Sequence, residues 1–346
     1  MVNAPFVIHD TSIQPGERRT VDIPVSLLSN HTQMNMSVHV VHSKRPGPVL
    51  FISAAVHGDE IIGVEIVRRL LNVPAVRRMK GTLLCVPIVN AFGFINHSRY
   101  LPDRRDLNRC FPGSAKGSLA GQLAHLFMNE VVKRSDVGID LHSAAQHRTN
   151  LPQIRVSDEG ARTHELAKAF GAPVVLESAY REGSLRMAAH DLDVDVLVYE
   201  AGEALRFDEF AVRIGVKGIL RVMKLLGMIS PKSVSDTKTN PHFANASHWM
   251  RAPRGGMLRA YRTIGDSVQV GDIIGVISDP VGDQEHELAA TVPGVIIGRT
   301  NLPVINQGDA LFHIAHVRRE GVVERFVNQA EKEFDIDPLF DEDEII

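Results

Sequence analysis

The stretch PVLFISAAVHGDE, residues 48–60, decides the fold of this chain. Its apolar part, residues 48–56, is typical of a strand that is buried on both faces of a sheet. The apolar run stops at His57-Gly58-Asp59-Glu60, and residues 61–71 then have the spacing of an amphipathic helix. A buried strand that passes through a polar turn into a helix is the repeating unit of α/β proteins.

The same alternation extends on both sides of this unit. Apolar and polar residues alternate within residues 1–45, which predicts short strands at the edge of a sheet. Further buried strands are predicted at 81–89, 137–142, 173–176 and 194–199. Helices are predicted at 119–133, 159–170, 183–191 and 208–226. These elements predict an α/β fold in which helices flank a largely parallel or mixed sheet.

The amino-acid composition changes after Pro231, where a segment rich in Ser, Thr, Asn and Pro is typical of a linker. Residues 247–316 then consist of short apolar stretches separated by Gly-Asp turns, without a helical period. We therefore predict a large α/β domain at 1–235 and a small all-β module at 236–346. The acidic tail from Asp335 onwards is expected to be solvated.

The composition excludes several classes of protein. With 38 Lys and Arg against 41 Asp and Glu, the net charge is −3, whereas nucleic-acid-binding proteins usually carry a basic excess. The sequence has no apolar run of about 18 residues that would predict a spanning helix, and its start does not resemble a signal peptide. The 2 cysteines cannot form a disulfide framework. We therefore expect a cytoplasmic protein with no nucleic-acid partner and no membrane association.

Two predicted strand ends carry side chains that can bind a metal. His57 and Glu60 lie where the first buried strand turns into its helix, and His142 ends the strand at 137–142. Two imidazoles and one carboxylate leave an open position on a tetrahedral zinc. Asp140 lies on the same face of its strand as His142 and can orient that imidazole. The alternative for each motif is a hydrogen-bonded turn or core residue.

Two further features suit hydrolytic chemistry. Glu200 closes an apolar strand, where a carboxylate is costly to bury unless it is paired or acts as a general base. The loop RYLPDRRDLNRCFPG, residues 99–113, carries four arginines between positions 99 and 109. Arginine binds a carboxylate through two parallel hydrogen bonds, so this loop is a candidate anion site. A solvated basic loop is the alternative.

The motifs HGDE, RY followed by DLNRCFPG, DLH and YEAG occur in the order and approximate spacing of the succinylglutamate desuccinylase/aspartoacylase family. This family is a branch of the zinc carboxypeptidase-like hydrolases, and the resemblance covers roughly residues 45–230. It implies a zinc-carboxypeptidase-like mixed sheet and a zinc-dependent amide hydrolase with one zinc per subunit. The implied substrate is a small, anionic N-acyl amino acid.

By motif match, the resemblance also implies roles for particular residues. The implied zinc ligands are His57, Glu60 and His142, and the implied general acid/base is Glu200. The implied substrate-carboxylate clamp consists of Asn108 and Arg109, and the implied carbonyl-polarising arginine is Arg99. Arg105 competes with Arg99 for the last role. The sequence does not choose among the further candidate substrate-binding residues, which are Arg148, Arg155, Tyr180 and Arg181.

The C-terminal segment resembles the accessory domain of these enzymes and, more distantly, the barrel-sandwich form of a lipoyl or biotinyl domain. No lysine lies at the hairpin near Asp279-Pro280, where a swinging-arm cofactor would attach, so we expect a cap or an element for homo-oligomerisation. Two other functions stay open at this point. One is a zinc carboxypeptidase that cleaves C-terminal peptide bonds, and the other is a catalytically silent binding or assembly protein.

Overall fold

A computed structural model of the chain describes residues 2–157, 160–237, 240–316, 323–327 and 329. The helices are α1 (Ile62–Asn72), α2 (Ala91–Ile95), α3 (Leu119–Glu130), α4 (Ala161–Phe170), α5 (Leu185–His190) and α6 (Glu209–Leu225). The strands up to residue 203 are β1 (Phe6–Ile8), β2 (Thr11–Ile13), β3 (Arg18–Leu27), β4 (Gln33–His42), β5 (Val49–Ala54), β6 (Thr82–Val86), β7 (Val137–Ala144), β8 (Arg148–Val156), β9 (Val174–Glu177) and β10 (Asp195–Glu203). The later strands are β11 (His242–Ala244), β12 (Ser247–Arg251), β13 (Gly256–Ala260), β14 (Ser267–Val268), β15 (Ile273–Ser278), β16 (Glu285–Ala289), β17 (Gly294–Thr300), β18 (Val304–Ile305) and β19 (Ala310–Ala315).

The main sheet is mixed, as predicted, and has 13 strands within the described part of the chain. Its central path runs in the order β12-β19-β17-β8-β10-β7-β5-β6-β4-β3, with β9, β11 and β14 beside it. Strands β10, β7, β5 and β6 are parallel to their neighbours in this series, so their carboxyl ends meet at one edge. In α/β sheets, that edge is where binding sites form.

Strand β5 is buried on both faces, as its unbroken apolar sequence predicts. Leu50 and Ile52 belong to a core shared with α1, α4 and α6, whereas Phe51 belongs to a second core shared with α3 and α5. Successive side chains of a strand point to opposite faces, so the two cores lie on opposite sides of the sheet. Gly138 of β7 pairs with Phe51 of β5 and leaves room for the phenylalanine ring, because a Cβ at position 138 would lie 2.1 Å from that ring.

The structure differs from the sequence-based prediction at β8, which the sequence analysis did not anticipate. This strand, RTNLPQIRV, pairs antiparallel with β10 and parallel with β9. Its polar residues Asn150 and Gln153 are buried, so the usual alternation of apolar and polar positions is hidden. The predicted loop at 99–113 contains a short 3-10 helix at Leu107–Arg109, and α2 lies just before it.

Residues 242–315 form short β strands, some of which extend the main sheet, but the module predicted as all-β also has a helical stretch at 323–327. Gly298 of β17 pairs with Asn150 of β8, so the sheet continues into β19 and β12. Strands β13, β15, β16 and β18 form a separate four-stranded sheet.

The boundary at 235/236 and the barrel-sandwich-like form of the module stay predictions. The acidic tail lies outside the described residues. In the described part of the chain, no helix combines the length and apolarity needed to cross a bilayer.

Candidate active site

The turn that follows β5 places His57 and Glu60 at the carboxyl edge of the sheet. Ala55 has a φ of 47°, a left-handed conformation that an alanine rarely adopts. Backbone hydrogen bonds from Val89 to Ala54 and from Asn90 to Ala55 hold this conformation. Gly58 lies against the backbone of α2, because a Cβ at this position would lie 2.0 Å from the carbonyl carbon of Gly93. The HGDE turn is therefore tightly packed.

His57, Glu60 and His142 converge on one point, as the metal prediction requires. The two carboxylate oxygens of Glu60 each lie 2.7 Å from an Nδ1 atom, one of His57 and one of His142. The two Nδ1 atoms lie 3.2 Å apart, and all three residues are buried. Their ligand atoms lie within 4.8 Å of one another, which is compact enough to hold one metal ion.

Each histidine is oriented by a second carboxylate on its outer nitrogen. His142 Nε2 lies 2.7 Å from Asp140 Oδ2, and His57 Nε2 lies 3.1 Å from Asp106 Oδ1. Ser53 donates a hydrogen bond to Asp140 and fixes its carboxylate. If each outer nitrogen donates its proton to these carboxylates, both Nδ1 lone pairs point inward, which is the arrangement of metal-binding histidines. The chemistry of this donor set fits a divalent cation.

The pKa shifts of the clustered residues agree with a cation-binding site. Burial lowers the pKa of His142, but the charges of Asp140 and Glu60 outweigh burial and raise it well above its ordinary value. Burial raises the pKa of Glu60, but the two histidines outweigh it and hold that pKa well below the usual range. The cluster therefore favours positive charge at its centre.

Glu200 lies directly beside this cluster. It pairs in register with His142 across the parallel strands β10 and β7. Its carboxylate accepts a hydrogen bond from Asn150 Nδ2 at 3.1 Å and lies 3.7 Å from Arg155 Nε. Strand β10 does not end at Glu200 but continues, with a register shift, to Glu203.

A cavity of about 360 Å³ opens over these groups. Six arginines line it: Arg99, Arg109, Arg148, Arg155, Arg181 and Arg186. Asn108 also lines it, and so do all three predicted metal ligands and Glu200. Arg105 is not among the lining residues, since its side chain is 60% exposed and lies 3.8 Å from Asp103.

Arg99 lies between two carboxylates of the cluster. It donates to Glu60 through Nη1 and to Asp106 through Nε and Nη2. These bonds use three of its five N–H donors, so two remain for a ligand. Between Arg99 and Arg105, the structure therefore places only Arg99 in the cavity.

The predicted clamp is held by the first residue of α5. Asn108 Oδ1 accepts a hydrogen bond from the backbone of Leu185, which leaves the Nδ2 donors of Asn108 for a ligand. Arg109 donates to the carbonyl of Asn108. Burial lowers the pKa of Arg109, and the nearby Arg181 and Arg99 lower it further. Such concentrated positive charge favours an anion.

Of the undecided candidates, Arg148, Arg155 and Arg181 line the cavity, whereas Tyr180 stacks on His190 at 4.7 Å instead. Sequence reasoning missed Arg186, Asn150, Asp106 and Trp249. Asp106 had a local signal, because it begins the DLNR motif and caps the 3-10 helix. Trp249 had none, since it comes from β12, on the far side of the predicted linker.

Comparisons with known proteins agree with this geometry. The family description "succinylglutamate desuccinylase/aspartoacylase catalytic domain" matches residues 46–226. The chain is 27% identical to the N-alpha-acetyl-L-2,4-diaminobutyric acid deacetylase of Halomonas elongata, over 88% of this chain and 98% of that one. A succinylglutamate desuccinylase/aspartoacylase structure from Rhodobacter sphaeroides matches with a TM-score of 0.76 and 25% identity, covering 87% of this chain and 95% of the other. The product-bound ectoine utilization protein EutE (DoeB) from Ruegeria pomeroyi matches with a TM-score of 0.77 and 22% identity, over 86% and 94%.

Proposed function

This chain belongs to the succinylglutamate desuccinylase/aspartoacylase family, and on that premise we propose that it is a zinc-dependent deacylase of small N-acyl amino acids. The observation that carries the proposal is the convergence of His57, Glu60 and His142 at the floor of an arginine-lined cavity. The family hydrolyses amides, which argues against a catalytically silent protein. The match to a deacetylase over 98% of its length favours a deacylase over a carboxypeptidase.

The proposed metal ligands are His57, Glu60 and His142, with Asp106 and Asp140 orienting the two imidazoles. A zinc ion in this site supplies a water molecule of lowered pKa and polarises the scissile carbonyl. Zinc is preferred over magnesium because imidazole is a ligand for zinc, whereas magnesium takes oxygen ligands.

Glu200 is the proposed general acid/base. Its carboxylate lies beside His142, where it can take a proton from the attacking water. The same carboxyl group can then deliver that proton to the nitrogen of the leaving amine. The hydrogen bond from Asn150 Nδ2 orients the carboxylate for both steps.

Arg99 and the clamp position the substrate. The two free N–H donors of Arg99 can bind the carbonyl oxygen as negative charge develops on it, and one such donor contributes about 3 to 4 kcal/mol. Asn108 and Arg109 can bind the α-carboxylate, which holds the amide in the reactive geometry.

The test is a screen of N-acetyl, N-succinyl and N-aspartyl amino acids in which the release of free amine is measured with zinc present. Dipeptides with a free C-terminal carboxylate are the comparison set. We expect amine release from at least one N-acyl amino acid, at a higher kcat/KM than from any dipeptide. Activity on dipeptides alone would indicate a carboxypeptidase, and no activity on either set would refute the proposal.

A further inference from the structure

The carboxylate of Glu200 depends on one amide for its hydrogen bonding. Within the described residues, Asn150 Nδ2 is the only group that donates a hydrogen bond to it, at 3.1 Å. Arg155 Nε lies 3.7 Å from the carboxylate and has no hydrogen-bond partner in that part of the chain. A register shift between β10 and β8, beyond the pair of Glu200 and Gln153, brings Asn150 to this position.

The space that the amide of Asn150 uses is provided by a glycine of the C-terminal strands. Gly298 of β17 pairs in register with Asn150. A Cβ at position 298 would lie 2.9 Å from Asn150 Oδ1, so the amide oxygen lies where a side chain of residue 298 would begin. Gly298 does not have a positive φ, so its backbone does not itself require glycine. The requirement for glycine here is one of space.

The other groups beside this space would tolerate a methyl group. The next nearest atoms to a Cβ at position 298 are His313 Cβ and the backbone oxygen of Thr149, each at 3.4 Å, an ordinary van der Waals distance. Of the three nearest atoms, the amide oxygen of Asn150 alone is too close. Because that oxygen is the end of a side chain that can rotate, an added methyl group would displace the amide and leave the backbone in place.

The wall behind the space is held by further C-terminal strands. His313 of β19 stacks on Trp249 of β12, with ring centroids 4.4 Å apart and planes 8° apart. His313 Nε2 lies within hydrogen-bond distance of Ser247 Oγ, at 2.8 Å. The guanidinium of Arg148 lies over the same Trp249 ring, 5.5 Å from its centroid. His313 is therefore restrained, and the amide of Asn150 is the group that would yield.

We propose that Gly298 is a positioning residue for the proposed hydrolysis, because its missing side chain lets the amide of Asn150 turn its nitrogen toward Glu200. Oδ1 and Nδ2 belong to one planar group, so displacement of the oxygen also withdraws the nitrogen from the carboxylate. The inference rests on the proposed function in that it takes Glu200 as the group that carries the proton. It gives the C-terminal strands a part in orienting the general acid/base.

Gly298→Ala tests the inference, because it adds one methyl group and keeps every proposed metal ligand and catalytic side chain. On the N-acyl amino acid that the wild type hydrolyses fastest, we expect kcat to fall by about 10- to 100-fold, while KM and zinc content stay within about twofold of the wild-type values. Urea unfolding should show no loss of stability, since alanine is less costly than glycine within a strand. A purely structural role would not lower kcat alone.

A double-mutant cycle identifies the route of the effect. Asn150→Ala removes the amide, so Gly298→Ala in that background should change kcat by less than about twofold. Gly255→Ala is the matched control, because its new Cβ would have no neighbour closer than 3.4 Å. This control should keep the wild-type kcat.

Crystal structures of the wild type and of Gly298→Ala give a measurement that needs no turnover. In the variant, Asn150 Nδ2 should lie more than about 3.5 Å from the carboxylate of Glu200, which is beyond hydrogen-bond distance. The positions of His313 and Trp249 should be the same in both structures.

Four results would each overturn the inference: a wild-type kcat in Gly298→Ala, a loss of stability relative to Gly255→Ala, an undiminished effect in the Asn150→Ala background, or an amide of Asn150 that stays in place in the variant crystal. Failure of the proposed function looks different. In that case the wild type hydrolyses no N-acyl amino acid, whereas the two crystal structures still show the displaced amide.

Discussion

Glu200 and His142 occupy directly paired positions on the adjacent parallel strands β10 and β7. Opposite residues in neighbouring strands place their side chains on the same face, so the carboxylate of Glu200 and the imidazole of His142 line one cavity. The pairing connects two motifs that are 58 positions apart in the sequence, as 200 − 142 shows. It supports the assignment of one as metal ligand and the other as proton carrier.

Replacement of Glu200 should separate catalysis from metal binding. Glu200→Gln keeps the shape and the contact with Asn150 but cannot carry a proton. We expect kcat to fall by about 10² to 10⁴ while the zinc content stays at the wild-type value. Steady-state kinetics and elemental analysis measure the two quantities on one preparation. A variant with wild-type turnover would remove Glu200 from the mechanism.

Elemental analysis should find about one zinc per subunit in the purified protein. His57→Ala and His142→Ala should each lose most of it, because two remaining ligands cannot hold the ion. His286→Ala is the matched control, since His286 is an exposed residue of β16. Unchanged zinc content in both ligand variants would place the metal elsewhere.

Asp106 should control metal affinity through His57. Asp106→Asn removes the negative charge at 3.1 Å from His57 Nε2 without a large change of shape. Loss of such an orienting carboxylate weakens metal affinity by about 10- to 100-fold. Competition with a fluorescent zinc chelator measures this change. If the affinity is unaltered, Asp106 acts only by holding Arg99 and by capping the 3-10 helix at Leu107–Arg109.

Gly58→Ala should destabilise the protein, because the added Cβ would lie 2.0 Å from the backbone of Gly93. The turn must then move, at a cost of about 1 to 3 kcal/mol in the free energy of unfolding. Gly121→Ala is the control, since Gly121 lies in α3 and its new Cβ would have no neighbour closer than 3.6 Å. That helical substitution should stabilise by about 0.5 to 1 kcal/mol. Urea unfolding compares the two, and equal effects would contradict the prediction.

His313 should make stability depend on pH below neutrality. Its pKa is about 3 in the folded chain and has an ordinary value of 6.5. Between these values the unfolded chain binds a proton that the folded chain does not, so the free energy of unfolding decreases as pH falls. This residue changes the free energy of unfolding by at most about 1.4 kcal/mol per pH unit. His313→Phe keeps an aromatic ring beneath Trp249 but cannot titrate, so it should show a shallower pH dependence in urea unfolding. An unchanged slope would assign the effect to other groups.

Much of the site could be predicted because its ligands are set by local rules. An apolar run that ends in a polar residue places that residue near the carboxyl end of a strand. His57 follows β5, whereas β7 continues past His142 to Ala144 and β10 continues past Glu200 to Glu203. Parallel strands bring such ends to one edge. Their order and spacing were therefore enough to suggest the metal cluster and the family.

Local rules could not predict β8, because its residue Asn150 is buried at a cavity that forms only when β10 and β17 pair with this strand. They also could not separate Arg99 from Arg105, since both lie in the same basic loop. The choice depends on the carboxylates of Glu60 and Asp106, which hold Arg99 inward while Arg105 stays exposed.

The sequence by itself determined the central buried strands, the polar residues at their ends and the membership in a hydrolase family. The tertiary structure alone decided which arginines enter the cavity and that Trp249 reaches it from the C-terminal strands. The physical reason is the range of the interactions. Strand formation and strand-end position depend on neighbours in sequence, whereas the stack of Arg148, Trp249 and His313 depends on sheet pairing between strands up to 165 positions apart, as 313 − 148 shows.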